Sequence, residues 1–172
     1  MRLTPVTGAD AAEQLDSGSI DVAVAHIRGM PAHFDSVVLL QDPFVLISRR
    51  GHPLTAQQPS LDAYAALNHI LVSPRGDTTG AVDRALADLG LKRRIALLVA
   101  TYLALPAALA GSDLVATVPR RAARQIAAIA EIEIMPLAID LSVTVSMAWH
   151  RRATSEPAQS WFRSLLIEAA NE

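Results

Sequence analysis

The sequence predicts an α/β fold, because apolar runs of strand length alternate with helical patterns along the whole chain. The run IDVAVA (Ile20 to Ala25) is almost continuously apolar, which is typical of strands buried on both faces of a parallel sheet. DLVATV (Asp113 to Val118) is predicted to be a further strand. The helical pattern from Ala81 to Leu89 stops at Gly90, as helices that end in a left-handed residue do. The predicted architecture is therefore a largely parallel sheet covered by helices.

The first fifty residues predict one helix among four strands: Leu3 to Val6, the helix Ala9 to Asp16, Ile20 to Ala25, Ser36 to Leu40, and Phe44 to Ser48. The first three elements form a strand-helix-strand unit, whose right-handed crossover favours a parallel pair of strands. Gln41-Asp42-Pro43 separates the last two strands. The polar, bend-prone RRGHPL that follows, Arg49 to Leu54, is interpreted as the boundary between two lobes.

The middle of the chain repeats strand and helix. The predicted elements are a helix Leu61 to Leu67, a strand Ile70 to Val72, the helix Ala81 to Leu89, a strand Arg94 to Ala100, a helix within Leu103 to Ala110, the strand Asp113 to Val118, a helix beginning at Pro119, and a strand Glu131 to Met135. A proline is favoured at the first helical position, because its missing N–H has no partner there anyway. Three β-α units in succession support the α/β interpretation.

The chain closes with an alternating strand, Ser142 to Trp149, and a long helix that has Pro157 in its first turn and Ser155 as its expected N-cap. Trp149, Trp161 and Phe162 are assigned to core packing. Because the chain enters a second lobe near residue 50 and returns near residue 137, we predict lobe I from residues 1–50 and 138–172 and lobe II from residues 51–137. Two crossing strands would join the lobes, with a cleft between them.

The stretch from His69 to Gly90 predicts a strand, a loop and a helix, and it supplies the first candidate binding loop, Ser73 to Thr79. In α/β sheets, small ligands are held by loops that leave the carboxyl ends of strands, where backbone N–H groups converge. The alternative is a loop that only connects the two elements. A phosphate-binding P-loop is not indicated, because Gly76 and Gly80 are not followed by Lys and Ser or Thr.

Composition excludes several classes of function. A net charge of −2 lacks the basic excess of a domain that neutralises many phosphates, so direct nucleic-acid binding is disfavoured. The absence of cysteine excludes disulfides and thiolate metal sites. Five scattered histidines, with no HExxH and no GxSxG, indicate neither a metal site nor an enzyme, and no cofactor is predicted. No signal peptide or membrane span is visible, so a cytoplasmic location is expected.

Several segments, in this order and spacing, resemble the effector-binding domain of LysR-type transcriptional regulators: IDVAVA after a helix ending in Ser-Gly, RRGHPL, HILVSPRG, the Val-Asp-x-x-Leu-x-x-x-Gly helix, GSDLVATVPRR, and WHRR…SEPAQSWFRSLL. The resemblance covers essentially all 172 residues. It implies the type II periplasmic-binding-protein arrangement, which agrees with the two lobes predicted above. It also implies a sensor that binds a small molecule between its lobes and controls a separate winged helix-turn-helix domain on DNA. That DNA-binding domain is not present in this sequence.

The resemblance also implies which residues line the ligand site: Ala25, His26, Ser73, Pro74, Arg75, Thr78, Thr101, Tyr102 and Pro119. Hydroxyl groups such as those of Ser73 and Thr101 can donate to a ligand oxygen, and an arginine can pair with a carboxylate. The expected effector is an organic acid or an aromatic molecule. For His26 and Arg75 the alternative is an ordinary surface role, and for Thr101 it is a helix cap.

Compared with the family, the chain lacks the first strand and helix of the domain. Either it is truncated, or its first sheet is completed differently. We expect an incomplete first lobe and a homodimer or higher homo-oligomer, because open sheet edges recruit partners. The alternative function is that of a solute-binding protein serving a transporter, which shares the fold.

Overall fold

The structure, a computed structural model, describes residues 1–27, 29–53 and 58–171. Leu54, which closes the RRGHPL motif, therefore lies outside the described residues. The strands are β1 Val22–Ala25, β2 Phe34–Arg49, β3 Asn68–Val72, β4 Arg94–Val99, β5 Val115–Pro119, β6 Ile132–Pro136 and β7 Ser142–His150. The α-helices are α1 Ala11–Asp16, α2 Leu61–Ala66, α3 Ala81–Asp88, α4 Leu105–Ala110, α5 Arg120–Ala127 and α6 Pro157–Ala170, and short 3-10 turns cover Tyr102–Ala104 and Arg151–Ala153. None of the helices in these ranges is both long and apolar enough to cross a membrane.

The chain forms two compact units. Unit 1 contains residues 1–42 and 143–172, and unit 2 contains residues 43–142. The sequence placed the corresponding boundaries after residues 50 and 137. The long strand β2 contributes its first residues to unit 1 and its last residues to unit 2.

In unit 1, β7 lies between β1 and β2. β1 and β7 are antiparallel, with Val22 opposite Trp149 and Ala25 opposite Ser146. The helix α1 packs its buried Ala11 and Leu15 against this sheet, in a small core that also contains Ala23, Phe34 and Ala148.

In unit 2, the strand order across the sheet is β6, β2, β5, β3, β4. β2 is antiparallel to both β5 and β6, whereas β3 is parallel to both β4 and β5. The sheet is therefore mixed, with a parallel block of three strands. The predicted parallel pairing is correct for this block only.

Helices cover both faces of the unit 2 sheet, and the alternation of side chains along each strand decides which helices they meet. Val45 and Ile47 of β2 belong to a cluster that contains residues of α4 and α5, whereas Leu46 between them belongs to a cluster that contains residues of α2 and α3. β5 alternates in the same way, with Val115 on one side and Ala116 on the other. β5 is therefore buried on both faces of the sheet, whereas Val24 of β1 is 43% exposed, so the prediction of a strand buried on both faces is wrong for IDVAVA.

Several predicted elements of unit 1 are wrong. Residues 3–6 form no strand: Pro5 has no N–H for a ladder, and residues 1–5 are exposed. The expected parallel pair with Ile20 to Ala25 therefore does not form, and β1 pairs antiparallel with β7 instead. The predicted break at residues 41–43 is absent, since β2 is continuous. The pairing of β2 with β5 begins at Phe44 and its pairing with β6 begins at Val45. Pro43 precedes both, so its missing N–H removes no hydrogen bond from either pair of strands.

The last helix differs from its prediction in two respects. Its N-cap is Glu156 and not Ser155, and the Glu156 carboxylate accepts a hydrogen bond from the Gln159 N–H. Its one fully buried side chain is Arg163, whereas Trp161, assigned to the core from the sequence, is 65% exposed. Arg163 is buried because its guanidinium stacks on Trp149 and donates to the carbonyls of Ala153 and Thr154.

Candidate functional site

The carboxyl ends of three parallel strands of unit 2 carry predicted site residues. Ser73 directly follows β3, Thr101 comes two residues after β4, and Pro119 is the last residue of β5. Because β3 pairs in parallel with both of the others, the three ends lie at the same edge of the sheet. Ser73 is buried there, and its N–H donates to the Val99 carbonyl at 2.8 Å. That these three strand ends bind a ligand stays a prediction.

The loop after Ser73 is bonded internally. The Gly76 N–H donates to the Ser73 carbonyl at 3.2 Å, and Gly76 has the positive φ of 81° that glycine adopts without strain. The Gly80 N–H at the start of α3 donates to the Asp83 carboxylate at 2.6 Å. Several N–H groups expected to serve a ligand are thus already used by the protein. The side chains of Pro74, Arg75 and Thr78 in this loop are exposed.

Asp83, in the first turn of α3 after the loop, forms an ion pair with Arg93. The Arg93 guanidinium donates to both carboxylate oxygens, at 2.8 Å and 3.0 Å, and its side chain is only 2% exposed. Burial acts to raise the pKa of Asp83, but the hydrogen bonds and the charge of Arg93 outweigh burial and lower the pKa. Burial likewise acts to lower the pKa of Arg93, and its hydrogen bonds to Asp83 raise it. The pair is therefore ionised, and it fixes the start of α3 beneath the loop.

A buried histidine lies near this ion pair. His69 is fully buried, and its Nε2 donates to the Tyr64 carbonyl at 2.8 Å. Burial lowers the pKa of His69 to about 4, so the ring is neutral at physiological pH. Tyr64 in turn bonds Thr117 through its hydroxyl at 2.7 Å and accepts from Arg93 at 3.3 Å. Burial raises the pKa of Tyr64, so the phenol keeps its proton. These hydrogen bonds join α2, β5 and the Asp83–Arg93 pair in one buried network.

Thr101 and Tyr102 begin the 3-10 turn that leads into α4. The Thr101 hydroxyl oxygen accepts from the Leu103 N–H at 3.3 Å, so the cap considered from the sequence is present. Accepting this bond leaves the hydroxyl proton able to be donated elsewhere. Tyr102 is 41% exposed and offers an aromatic face beside Thr101. The residue before α5 is Pro119, which acts as N-cap, so the helix begins one residue later than predicted.

The two remaining predicted site residues, Ala25 and His26, belong to unit 1. Ala25 is half-buried at the end of β1, opposite Ser146. His26 is exposed, and its Nδ1 donates to the Thr144 carbonyl at 2.9 Å. This bond fixes the orientation of the ring and leaves Nε2 as an acceptor in the neutral form. Their part in ligand binding stays a prediction.

Sequence reasoning missed a cavity in unit 1 and treated the segment around it as a connector. The cavity measures about 290 Å³. Its lining combines apolar side chains with two hydroxyls and one guanidinium: Ile27, Gly29, Met30, Pro31, Ala32, Phe34, Ser36, Ser146 and Arg151. Arg151 donates to the Asp35 carboxylate at 3.1 Å, and the hydrogen bonds from Thr154 and Arg151 lower the pKa of Asp35. Arg151 is thus already paired with an acid.

Sequence reasoning also missed Arg93 as the partner of Asp83. The signal that was available was the basic run Lys92-Arg93-Arg94 just before β4, but nothing in it shows which arginine is buried.

Comparison with known proteins identifies the family. The model of the LysR substrate binding domain matches residues 1–171. The chain belongs to this family. Its LysR domain has the type II periplasmic-binding-protein-like fold, as predicted, and the match favours a sensing domain of a regulator over the solute-binding protein of a transport system.

Curated relatives of this LysR domain are transcriptional regulators. It is 31% identical over 159 residues to the HTH-type transcriptional regulator SyrM of Rhizobium meliloti (strain 1021), and 29% identical over 157 residues to the HTH-type transcriptional activator NahR of Pseudomonas putida. Each alignment covers 91% of this chain but only 49% and 52%, respectively, of the relative. The chain therefore spans about half the length of the curated relatives it matches.

Solved structures agree. The regulatory domain of MexT, a transcriptional activator in Pseudomonas aeruginosa, superposes on the LysR domain with a TM-score of 0.83 at 32% identity, over 91% of this chain and 76% of that one. A putative transcriptional regulator from Vibrio parahaemolyticus gives a TM-score of 0.85 at 26% identity, over 97% and 79% of the two chains.

Proposed function

We propose that this chain is the effector-sensing part of a LysR-type transcriptional regulator, and that a small organic acid or aromatic molecule binds at the carboxyl ends of β3, β4 and β5. The observation that carries the proposal is the convergence of Ser73, Thr101 and Pro119 at one edge of a parallel block. Such edges are where ligands bind in open α/β sheets. The family membership supports a regulatory and not a catalytic role.

The chemistry of the edge favours a ligand that carries a carboxylate or a ring. The Thr101 hydroxyl keeps a proton to donate, and the exposed Arg75 can form two hydrogen bonds with a carboxylate. Tyr102 can stack against an aromatic ring. The start of α3 is a poor site for the negative charge, because the carboxylate of Asp83 already occupies it. We therefore assign the charge of the ligand to Arg75.

The wider proposal concerns the whole protein. The relatives are about twice as long as this chain and are HTH-type regulators, so we propose that the sensor works with a helix-turn-helix domain, as a homodimer or higher homo-oligomer in the cytoplasm. Sequencing the complete gene tests the first part. An open reading frame that encodes no DNA-binding segment beside this domain contradicts the proposal.

A thermal-shift screen of small organic acids and aromatic compounds tests the binding site, because a ligand that binds only the folded state raises the melting temperature. Affinities of the hits are then measured by calorimetry on Arg75→Gln and Thr101→Val. We expect binding to weaken about tenfold or more in each, since a hydrogen bond to a charged group contributes about 1.5–3 kcal/mol.

Matched controls separate a lost contact from a damaged fold. Arg84→Gln removes an exposed arginine from α3, and we expect it to leave the affinity unchanged. Thr101→Ser keeps the hydroxyl and the cap, and we expect it to bind as well as the unaltered chain. A ligand that binds all four variants equally excludes this edge as its site.

A further inference from the structure

We propose that Asp16, His33 and His150 form a binding site for a divalent transition-metal ion, with Zn²⁺ as the best fit. All three residues belong to unit 1, and none of them is among the residues proposed to bind the effector. No short-spaced metal-binding motif contains these residues, because they are 17 and 117 positions apart along the chain.

The three side chains already converge. His33 Nε2 lies 3.0 Å from the Asp16 Oδ1, and His150 Nε2 lies 3.7 Å from the same oxygen. One ligand atom from each residue lies within 4.8 Å of the other two. Zinc bonds of about 2.0–2.1 Å at a tetrahedral angle hold neighbouring ligand atoms about 3.3 Å apart. The distances of 3.0 Å and 3.7 Å lie on either side of that value, and the third pair of ligand atoms lies within 4.8 Å, so side-chain movements have to complete the geometry.

The backbone holds the three ligands in place. The Arg151 N–H, next to His150, donates to the His33 carbonyl at 3.0 Å, which keeps the ends of β7 and β2 side by side. Asp16 ends α1, and the Arg152 guanidinium donates to its carbonyl at 3.3 Å. The two imidazole rings lie 5.4 Å apart between centroids, and both contact the ring of Phe34. The site is therefore built on two strands and a helix.

The donor set suits zinc. Two imidazoles and one carboxylate are ligands that Zn²⁺ accepts, and three protein ligands leave a fourth position open for water. Asp16 and His33 are each about half exposed, with relative exposures of 50% and 49%, so an ion can enter from solvent. The chain has no cysteine, so no thiolate site competes for the ion.

An existing hydrogen bond of His150 must break before a metal ion can bind, and this lowers the expected affinity. His150 Nδ1 accepts from the Arg152 N–H at 3.1 Å, which places the proton of the neutral ring on Nε2, facing Asp16. Coordination through Nε2 needs the other tautomer, so this bond must open when the metal binds. The positive charge of Arg152 also lies close by. We therefore expect affinity in the micromolar range, weaker than that of closed structural zinc sites, together with release of protons on binding.

Calorimetric titration of the tag-free chain with ZnCl₂ tests the site, and Co²⁺ serves as a spectroscopic substitute. We expect one ion per chain. Asp16→Asn, His33→Gln and His150→Gln should each weaken binding at least roughly tenfold, as loss of even an outer-shell partner does. His26→Gln is the matched control, because it removes another exposed histidine of unit 1 and should leave the affinity unchanged.

Two outcomes overturn the proposal. One is saturable Zn²⁺ binding that survives in all three variants, and the other is a loss of Zn²⁺ affinity in His26→Gln as large as that in the three variants. Circular dichroism melts without metal show whether a variant still folds. If one does not, carbethoxylation of the unaltered chain, read by mass spectrometry, decides the question. Zn²⁺ should then protect His33 and His150 but not His26, and equal modification with and without Zn²⁺ refutes the site.

Discussion

The guanidinium of Arg93 holds the carboxylate of Asp83 through two hydrogen bonds, from Nε to Oδ1 at 2.8 Å and from Nη2 to Oδ2 at 3.0 Å. The same carboxylate accepts the Gly80 N–H, and the same guanidinium donates to the Tyr64 hydroxyl. The pair therefore joins α2, the start of α3 and the entry to β4 beneath the candidate binding loop. Because Arg93 is buried, we expect its loss to destabilise the protein more than the loss of an arginine from an exposed ion pair.

We predict that Arg93→Met destabilises the protein by about 3–5 kcal/mol, because removing one partner of a buried pair leaves the other charge uncompensated. Urea unfolding followed by circular dichroism measures the change. Arg50→Met is the control: Arg50 and Glu131 form an ion pair 3.8 Å apart with both side chains exposed, and such pairs contribute at most about 1 kcal/mol. Equal losses in the two variants would contradict a special role for Arg93. Replacing both members, as Arg93→Met with Asp83→Leu, should recover part of the loss.

The neutral, buried His69 predicts that acid destabilises the protein. The pKa of His69 is about 4 in the folded chain and about 6.5 when unfolded, so the unfolded state binds the proton more readily. The contribution of His69 to stability is complete above pH 6.5 and is lost as the pH falls from 6.5 to about 4. A difference of about 2.5 pKa units corresponds to about 3 kcal/mol.

The unfolding free energy of the unaltered chain and of His69→Gln, measured between pH 4 and 7, tests this prediction. The difference between the two should shrink as the pH falls, because glutamine does not titrate. A constant difference between His69→Gln and the unaltered chain across this range would show that His69 titrates normally.

Gly8 packs against the backbone after β1, which predicts that Gly8→Ala is destabilising. A Cβ added at Gly8 would clash with the carbonyl oxygen of His26, and only a backbone shift would relieve the clash. We expect a loss of about 1–3 kcal/mol, as for other overpacked sites, measured by thermal unfolding. Gly111→Ala is the control, because a Cβ there meets nothing within 4 Å and the φ of −117° is accessible to alanine. Similar melting temperatures for both variants would exclude the clash.

The contacts of the Arg163 guanidinium predict that lysine cannot replace this residue without a loss of stability. Its guanidinium donates to the carbonyls of Ala153 and Thr154, at 3.3 Å and 2.7 Å, while its Cζ lies 4.6 Å from the centroid of Trp149. A lysine ammonium cannot make both contacts in one position, so we expect Arg163→Lys to cost about 1–3 kcal/mol. Fluorescence of Trp149 in a Trp161→Phe background follows unfolding at this contact. Arg84→Lys, at an exposed position of α3, should be neutral.

Local pattern was sufficient for much of unit 2. The apolar run that became β5 and the helix that ended at Gly90 were predicted from the sequence, because helix and strand periodicity and a glycine stop are short-range properties. The placement of Ser73 and Thr101 after strands followed from the same patterns together with the family resemblance. The internal bonds of the loop could not be predicted, because they depend on which backbone groups meet.

What the sequence determined by itself is the alternation of strands and helices, the family, and the absence of thiol chemistry, since each of these depends on residue type and short spacing. Only the tertiary structure decided that β1 pairs antiparallel with β7, that Arg93 is the arginine buried against Asp83, and that Asp16 meets two distant histidines. These contacts join residues from ten to more than a hundred positions apart. Their formation depends on the packing of whole elements, and no local pattern encodes which distant partner a strand or a charge will meet.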